Sequence, residues 1–183
     1  MSLHADALAV LDGWRAPTDD QERLRQRYAE HLRARPDGMW RECRPDHVTA
    51  STIVVDATGE RVLLTLHAKA RRWFQLGGHC EPGDRTLAGA ARREATEESG
   101  LAGLTLDPVP VQLSEHEVPF CGADPSGRPV HHLDVRYLAI APDGAEHALS
   151  GESLDLRWWP ATALPDPEAD LVELVALARA RMG

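Results

Sequence analysis

Three glutamates, Glu94, Glu97 and Glu98, fall in the last two turns of a predicted helix that stops at Gly100. That placement is unfavourable on stability grounds. Carboxylates at a helix C-terminus oppose the macrodipole, at roughly 0.3–1 kcal/mol each when exposed. The i, i+4 pair Glu94/Glu98 adds like-charge repulsion of a few tenths of a kcal/mol. The i, i+3, i+4 spacing gathers the three side chains within an arc of about 100°. Oxygen-only donors at this density suit Mg²⁺ or Mn²⁺, hard ions that favour carboxylate, water and phosphate. The pattern reads as a metal site for phosphate chemistry.

The flanking residues specify how the triplet is held. Gly77, Gly78, Pro82 and Gly83 predict a tight loop. Asp84 or Thr86 can N-cap the helix, and Gly100 supplies the left-handed position that ends it. Leu87, Ala91 and Ala95 recur every four residues and form an inward stripe. On the helical wheel Glu94 and Glu98 fall beside that stripe, whereas Arg85, Gly89, Arg92 and Thr96 fall opposite. An ordinary solvated charge run would occupy the opposite face.

The segment from Gly77 to Leu101 resembles the Nudix box: Gly, five residues, Glu, seven residues, then Arg-Glu-apolar-x-Glu-Glu-x-Gly-apolar. Arg93, Glu94, Ala95, Glu97, Glu98, Gly100 and Leu101 fill every specified position of the second half. The first half departs by one residue, inserted at the junction of loop and helix. Counting from Gly78 places Asp84 at the first acidic position, whereas counting back from Arg93 places Arg85 there. The resemblance implies that Glu94, Glu97 and Glu98 bind divalent metal together with the backbone carbonyl of Gly77. It implies that Arg93 holds Glu94 in its ligating orientation, a task suited to a planar guanidinium; a surface i, i+4 pairing of Arg93 with Glu97 is the alternative.

Phosphoanhydride hydrolysis also needs a base for the attacking water. Glu97 and Glu98 are candidates inside the box. Outside it, Glu152 lies in Ser150-Gly151-Glu152-Ser153, ahead of Trp158, where similar Nudix proteins carry a metal-binding glutamate. Asp134 and Glu117, flanked by strand residues, are weaker rivals. His79-Cys80 invites a zinc reading, but no second Cys/His pair stands at ligand spacing, so zinc is set aside. His131-His132 precedes the long strand and could reach a phosphate, but reads first as the entry to that strand. Trp73 and Phe74 could stack on a base or pack in the core. Of Trp158 and Trp159, which alternate along a strand, one is expected in the core and one partly exposed. Arg71 and Arg72 could meet an anionic substrate or be exposed loop charges.

The elements that must position these groups begin with an N-terminal helical extension, residues 1–45. It comprises a short apolar turn or two over Ala5 to Leu11 and a helix opened by the capping box at Thr18 and closed by Arg35-Pro36-Asp37-Gly38. Residues 46–183 alternate strands with helices. Ser51 to Asp56 and Arg61 to His67 read as a hairpin, Trp73 to Leu76 as a strand feeding the glycine loop, and Leu104 to Val118 as one or two strands with Pro108 and Pro110 at an edge or bend. Leu133 to Ala141 is the strongest strand and Leu156 to Trp159 a short one. Asp166-Pro167 opens an amphipathic last helix with Leu171, Leu174, Val175 and Ala178 inward. The order suits an α/β/α sandwich with a mixed sheet, the fold that the Nudix resemblance implies.

A net charge of −9 argues against a nucleic-acid polymer as partner but leaves small nucleotides open, because a bound cation can carry the attraction. No apolar run approaches a membrane span. Cys43, Cys80 and Cys121 cannot all pair, which points to reduced thiols in a cytoplasm. The expected protein is a monomer or homodimer that hydrolyses, with Mg²⁺ or Mn²⁺, a nucleoside diphosphate linked to another group. Two alternatives share the fold. An isoprenyl-diphosphate isomerase would degrade the Arg-Glu-x-x-Glu-Glu pattern that is intact here. A non-catalytic nucleotide-ligand sensor would lose metal carboxylates, and all three are present.

Overall fold

A computed structural model describes residues 1–119, 121–122, 124–148 and 153–183. Two helices come first, α1 (Leu3–Gly13) and α2 (Asp19–Ala34). Ser2 caps α1 by accepting from Ala5 N at 3.2 Å, so this helix is longer than the turn or two that its apolar residues suggest. Thr18 caps α2 as its capping box predicts. The remaining elements are β1 (Asp46–Val55), β2 (Arg61–His67), β3 (Trp73–Phe74), β4 (Leu76–His79), α3 (Leu87–Ser99), β5 (Thr105–Leu106), β6 (Gln112–Glu117), β7 (His131–Ile140), β8 (Ser153–Pro160) and α4 (Ala169–Met182).

Strand β1 organises the sheet. It runs parallel to β7 along its whole length, from Asp46↔His131 to Val55↔Ile140. Its other edge is divided: Thr49 to Thr52 pair antiparallel with β4, and only Val54 and Val55 pair with β2. The hairpin expected over 51–56 and 61–67 is therefore only the far end of a longer strand. Strand β7 carries β6 and β5 on its outer edge, and β8 pairs with β2 across a bulge at Leu66/His67, which makes β8 longer than its apolar centre. Pro108 and Pro110 fall between β5 and β6, where no ladder bond is needed.

Helices cover both faces of this mixed sheet. On one face Val48, Ala50, Leu133 and Val135 pack with Leu11 and Tyr28 of the N-terminal helices and with Leu87 and Ala91 of α3. On the other, Ile53, Val55, Val62 and Leu138 meet Leu171 and Leu174 of α4. The last helix begins later than Asp166-Pro167 suggests. Asp166 adopts a left-handed turn (φ 43°), and Glu168 occupies the cap without a side-chain bond. Trp158 and Trp159 do fall on opposite faces, but both are partly exposed, and neither is fully in the core as the alternation predicts for one.

Candidate active site

Helix α3 has the ends its sequence specifies. Thr86, not Asp84, is the N-cap, accepting from Gly89 N at 3.0 Å, and Gly100 takes the left-handed C-cap at φ 67°. Leu87, Ala91 and Ala95 are fully buried, and Thr52 Oγ1 on β1 donates to Ala91 O at 3.1 Å, which fixes the helix against the sheet. The carboxylates fan out from this buried stripe. The Glu94 side chain is 15% exposed and that of Glu97 60% exposed, so Glu94 lies inward of Glu97, while Glu98 is half-buried.

Arg93 binds the array together. Its Nε and Nη2 donate to the two oxygens of Asp84 at 3.1 and 3.0 Å, Nη2 also donates to His79 O at 3.1 Å, and Nη1 donates to Glu94 Oε1 and Glu97 Oε2, each at 3.0 Å. Both pairings of Arg93 weighed on the sequence are present at once. Asp84, displaced by the inserted residue, is the anchor of the guanidinium and also accepts from Glu81 N at 2.8 Å. Burial works against ionisation of Asp84, yet the Arg93 bonds hold its carboxyl below the usual range. Hydrogen bonding to Asp84 outweighs burial at Arg93 and raises its already high pKa. Burial pushes the Glu94 carboxyl up despite Arg93, so its charge is incompletely compensated.

The glycine loop closes on the same carboxylates. Gly77 N donates to Glu98 Oε2 at 3.2 Å. A Cβ at Gly78 would lie 2.8 Å from the Glu94 carboxyl carbon, and one at Gly77 (φ 155°) would lie 2.3 Å from Ser51 Cβ. Only glycine lets the backbone approach both so closely. The donor set therefore fits a divalent cation: hard oxygens, one of them on a partly desolvated carboxylate, beside a backbone turn with no side chain in the way.

Other candidates separate. Glu152 lies outside the described residues. Asp134 is buried and saturated, accepting from Thr49 Oγ1 (3.0 Å), Ser51 Oγ (2.6 Å) and Arg136 Nε (3.0 Å). Glu117 ends β6 opposite His131. Trp73 packs edge-on against Trp159 at 5.2 Å and belongs to the core around α4, whereas Phe74 meets His67 edge-on at 6.2 Å. Arg72 pairs with Glu168. All three cysteines are free and buried.

One group escaped the sequence reading. His47, His79, Cys121 and His132, from four separate segments, place ligand-capable atoms within 4.8 Å of one another. Motif spacing could not find it, because its members meet only through strand pairing. Period-2 alternation is the signal that could have: His47 and His132 are β1–β7 partners, and His79 stands opposite Thr49, which shares the face of His47. Burial holds His47 and His79 down to about 4 and His132 down to about 2, so these imidazoles are neutral.

A mixed sheet between helices, with a glycine loop leading into a carboxylate-bearing helix, is the arrangement of a Nudix hydrolase. The chain belongs to that family: the family model described as NUDIX domain matches residues 45–178. It is similar to a NUDIX-family hydrolase from Clostridium perfringens, with 26% identity over 74% of this chain and 95% of that one and a TM-score of 0.56. A C. elegans Ap4A hydrolase in a binary complex aligns over 74% of this chain and 96% of that one, at 22% identity and TM-score 0.59. The E. coli dihydroneopterin triphosphate pyrophosphohydrolase aligns over 75% and 97%, at 20% identity and TM-score 0.58. These last two likenesses show the shared fold. No curated protein matches. Among the described residues no helix is long and apolar enough to cross a membrane.

Proposed function

We propose that this Nudix hydrolase cleaves the phosphoanhydride bond of a nucleoside diphosphate linked to another group, with Mg²⁺ or Mn²⁺ held by Glu94, Glu97, Glu98 and the Gly77 carbonyl. The observation that carries the reading is the Arg93-centred array, which fixes inner and outer carboxylates against the glycine loop. A divalent cation bound there would neutralise phosphoryl oxygens and acidify water.

The chain's own residues do the rest. Asp84 and the His79 carbonyl hold the guanidinium of Arg93, and Arg93 in turn sets the Glu94 carboxylate toward the loop. Glu98 fastens the Gly77 peptide, so the loop carbonyl and the helix carboxylates keep a common geometry. Glu97, the exposed member, Glu98 and Glu152 are the groups proposed to take the proton from water. The nucleotide is the proposed partner, with the C. elegans and E. coli enzymes as precedents for phosphoanhydride substrates on this fold.

The test is a screen of nucleotide sugars, ADP-ribose, dinucleoside polyphosphates and nucleoside triphosphates with Mg²⁺ or Mn²⁺, resolved by chromatography. The expected result is one preferred class cleaved to a nucleoside monophosphate and a second phosphorylated product. Release of inorganic pyrophosphate from triphosphates alone would replace the proposed substrate class.

A further inference from the structure

We infer that His47, His79, His132 and Cys121 form a tetrahedral zinc site, separate from the carboxylate array, that fastens the glycine loop to the β1–β7 strand pair. The sheet builds it in a definable way. His47 and His132 are direct partners across the parallel pair, and His79 ends β4, antiparallel to β1. Alternation turns the three imidazoles to one face at one end of the sheet, with ring centroids 4.9–5.2 Å apart. Cys121, from the segment after β6, closes the fourth corner. Its Sγ lies 3.5 Å from His79 Nε2 and 3.2 Å from His132 Nε2.

Those two separations lie close to the nitrogen–sulfur edge of a zinc tetrahedron: Zn–N bonds of about 2.0–2.1 Å and a Zn–S bond of about 2.3 Å set N–S edges of roughly 3.5 Å and N–N edges of roughly 3.3 Å. The four donors, within 4.8 Å of one another, need only a small contraction to reach them. The fourth donor also needs a ligand. His47 is fully buried, its Nδ1 is engaged with Cys43 O at 3.3 Å, and its Nε2 has no hydrogen-bond partner. A proton on Nδ1 bound to that carbonyl leaves the Nε2 lone pair facing the other three donors, the usual means by which a protein orients a metal-binding imidazole. Three neutral nitrogens and one sulfur select zinc over Mg²⁺, which takes oxygen. Binding would displace the Cys121 thiol proton, since the thiolate is the ligand.

The position gives the site its role. His79 is held from both sides: Arg93 donates to its carbonyl, and its ring enters the cluster. Arg44 Nη2 donates to Cys121 O at 2.6 Å and so steadies the sulfur-bearing segment. Zinc at this corner would fix the exit of β4 just beyond Gly77 and Gly78.

The experiment uses the full chain without substrate or Mg²⁺. Protein stripped with chelator is titrated with Co²⁺ and then Zn²⁺, reading tetrahedral ligand-field bands, the thiolate-to-cobalt charge-transfer band, bound metal after desalting and the melting temperature. The expected result is about one equivalent of metal retained and a raised melting temperature. Cys121→Ser should lose the charge-transfer band, His132→Ala should retain below about a tenth of an equivalent, and Cys80→Ala should behave as wild type. Absence of cobalt bands and of retained zinc in the wild-type chain would overturn the inference, whether or not the variants fold. So would a charge-transfer band that survives Cys121→Ser.

Discussion

At the scale of single residues, the site turns on how one guanidinium is shared. Arg93 spends its donors on Asp84, His79 O, Glu94 and Glu97, so that three acidic groups are ordered by one cation. The Arg-Glu-x-x-Glu-Glu pattern was legible because its chemistry is local to one helix. The role of Asp84 was not, since the inserted residue breaks the register and only the folded loop brings its shorter side chain to Arg93. If Glu97 and Glu98 serve the reaction and not the fold, Glu97→Gln and Glu98→Gln should lower turnover by at least about 10²-fold. Melted in chelator, both should be at least as stable as wild type, because they relieve repulsion against the helix dipole. A large loss of stability there would make them structural. In the same series, Glu152→Gln should depress kcat far more than it raises KM. Asp134→Asn should spare chemistry but cost about 1–3 kcal/mol, since Thr49, Ser51 and Arg136 all donate to that buried carboxylate. The reverse ranking of Glu152 and Asp134 would defeat the assignment of the distal acid.

At the scale of elements, α3 and β1 show what sequence can and cannot reveal. Every determinant of α3 is local: the Thr86 cap, the Leu87-Ala91-Ala95 stripe and the Gly100 stop. Strand β1 is set by three partners far apart in sequence, so its beginning, with His47 and Thr49 ahead of the expected start at Ser51, was missed as strand, and the histidine corner with it. The polar residues there do not read as core until Asp134 and Arg136 of β7 pair with them. The meeting of β4 with α3 has its own test. Gly78→Ala would drive a Cβ to within 2.8 Å of the Glu94 carboxyl group, so the loop and the inner carboxylate must part. The expected outcome is an unchanged circular dichroism spectrum with activity reduced at least tenfold, on the order of 1.4 kcal/mol in transition-state terms. Wild-type turnover in this variant would mean that the close approach of loop and glutamate is incidental.

At the scale of the whole molecule, the sheet carries charge inside its layers. Arg136, buried, is bracketed by Asp134 on its own strand and by Asp170 of α4 at 3.0 Å, which ties the last helix to the polar part of the sheet. Six histidines, His31, His47, His67, His79, His116 and His132, are held below the ordinary imidazole range, by burial above all. The unfolded chain takes up protons on these rings near pH 6.5 whereas the native state does not, so stability must fall as pH drops below about 6.5. Asp56 and Asp170 resist burial through their arginine partners and stay below the ordinary carboxylate range. Their contribution is present above about pH 4 and is lost below it. Melting temperatures of chelated protein should therefore decline from near-neutral pH, with a further loss below about pH 4; a flat profile from pH 7 to 5 would contradict the buried, neutral state of the histidines. The central claim, that the α3 carboxylates hold the cation that makes this fold a hydrolase, is met most directly by initial rates on the preferred substrate. These are measured in excess chelator and again after Mg²⁺ or Mn²⁺ is restored. The account predicts no turnover in chelator, recovery in saturable proportion to added metal, and a loss of that recovery in Glu97→Gln; undiminished turnover of wild type in chelator would contradict it.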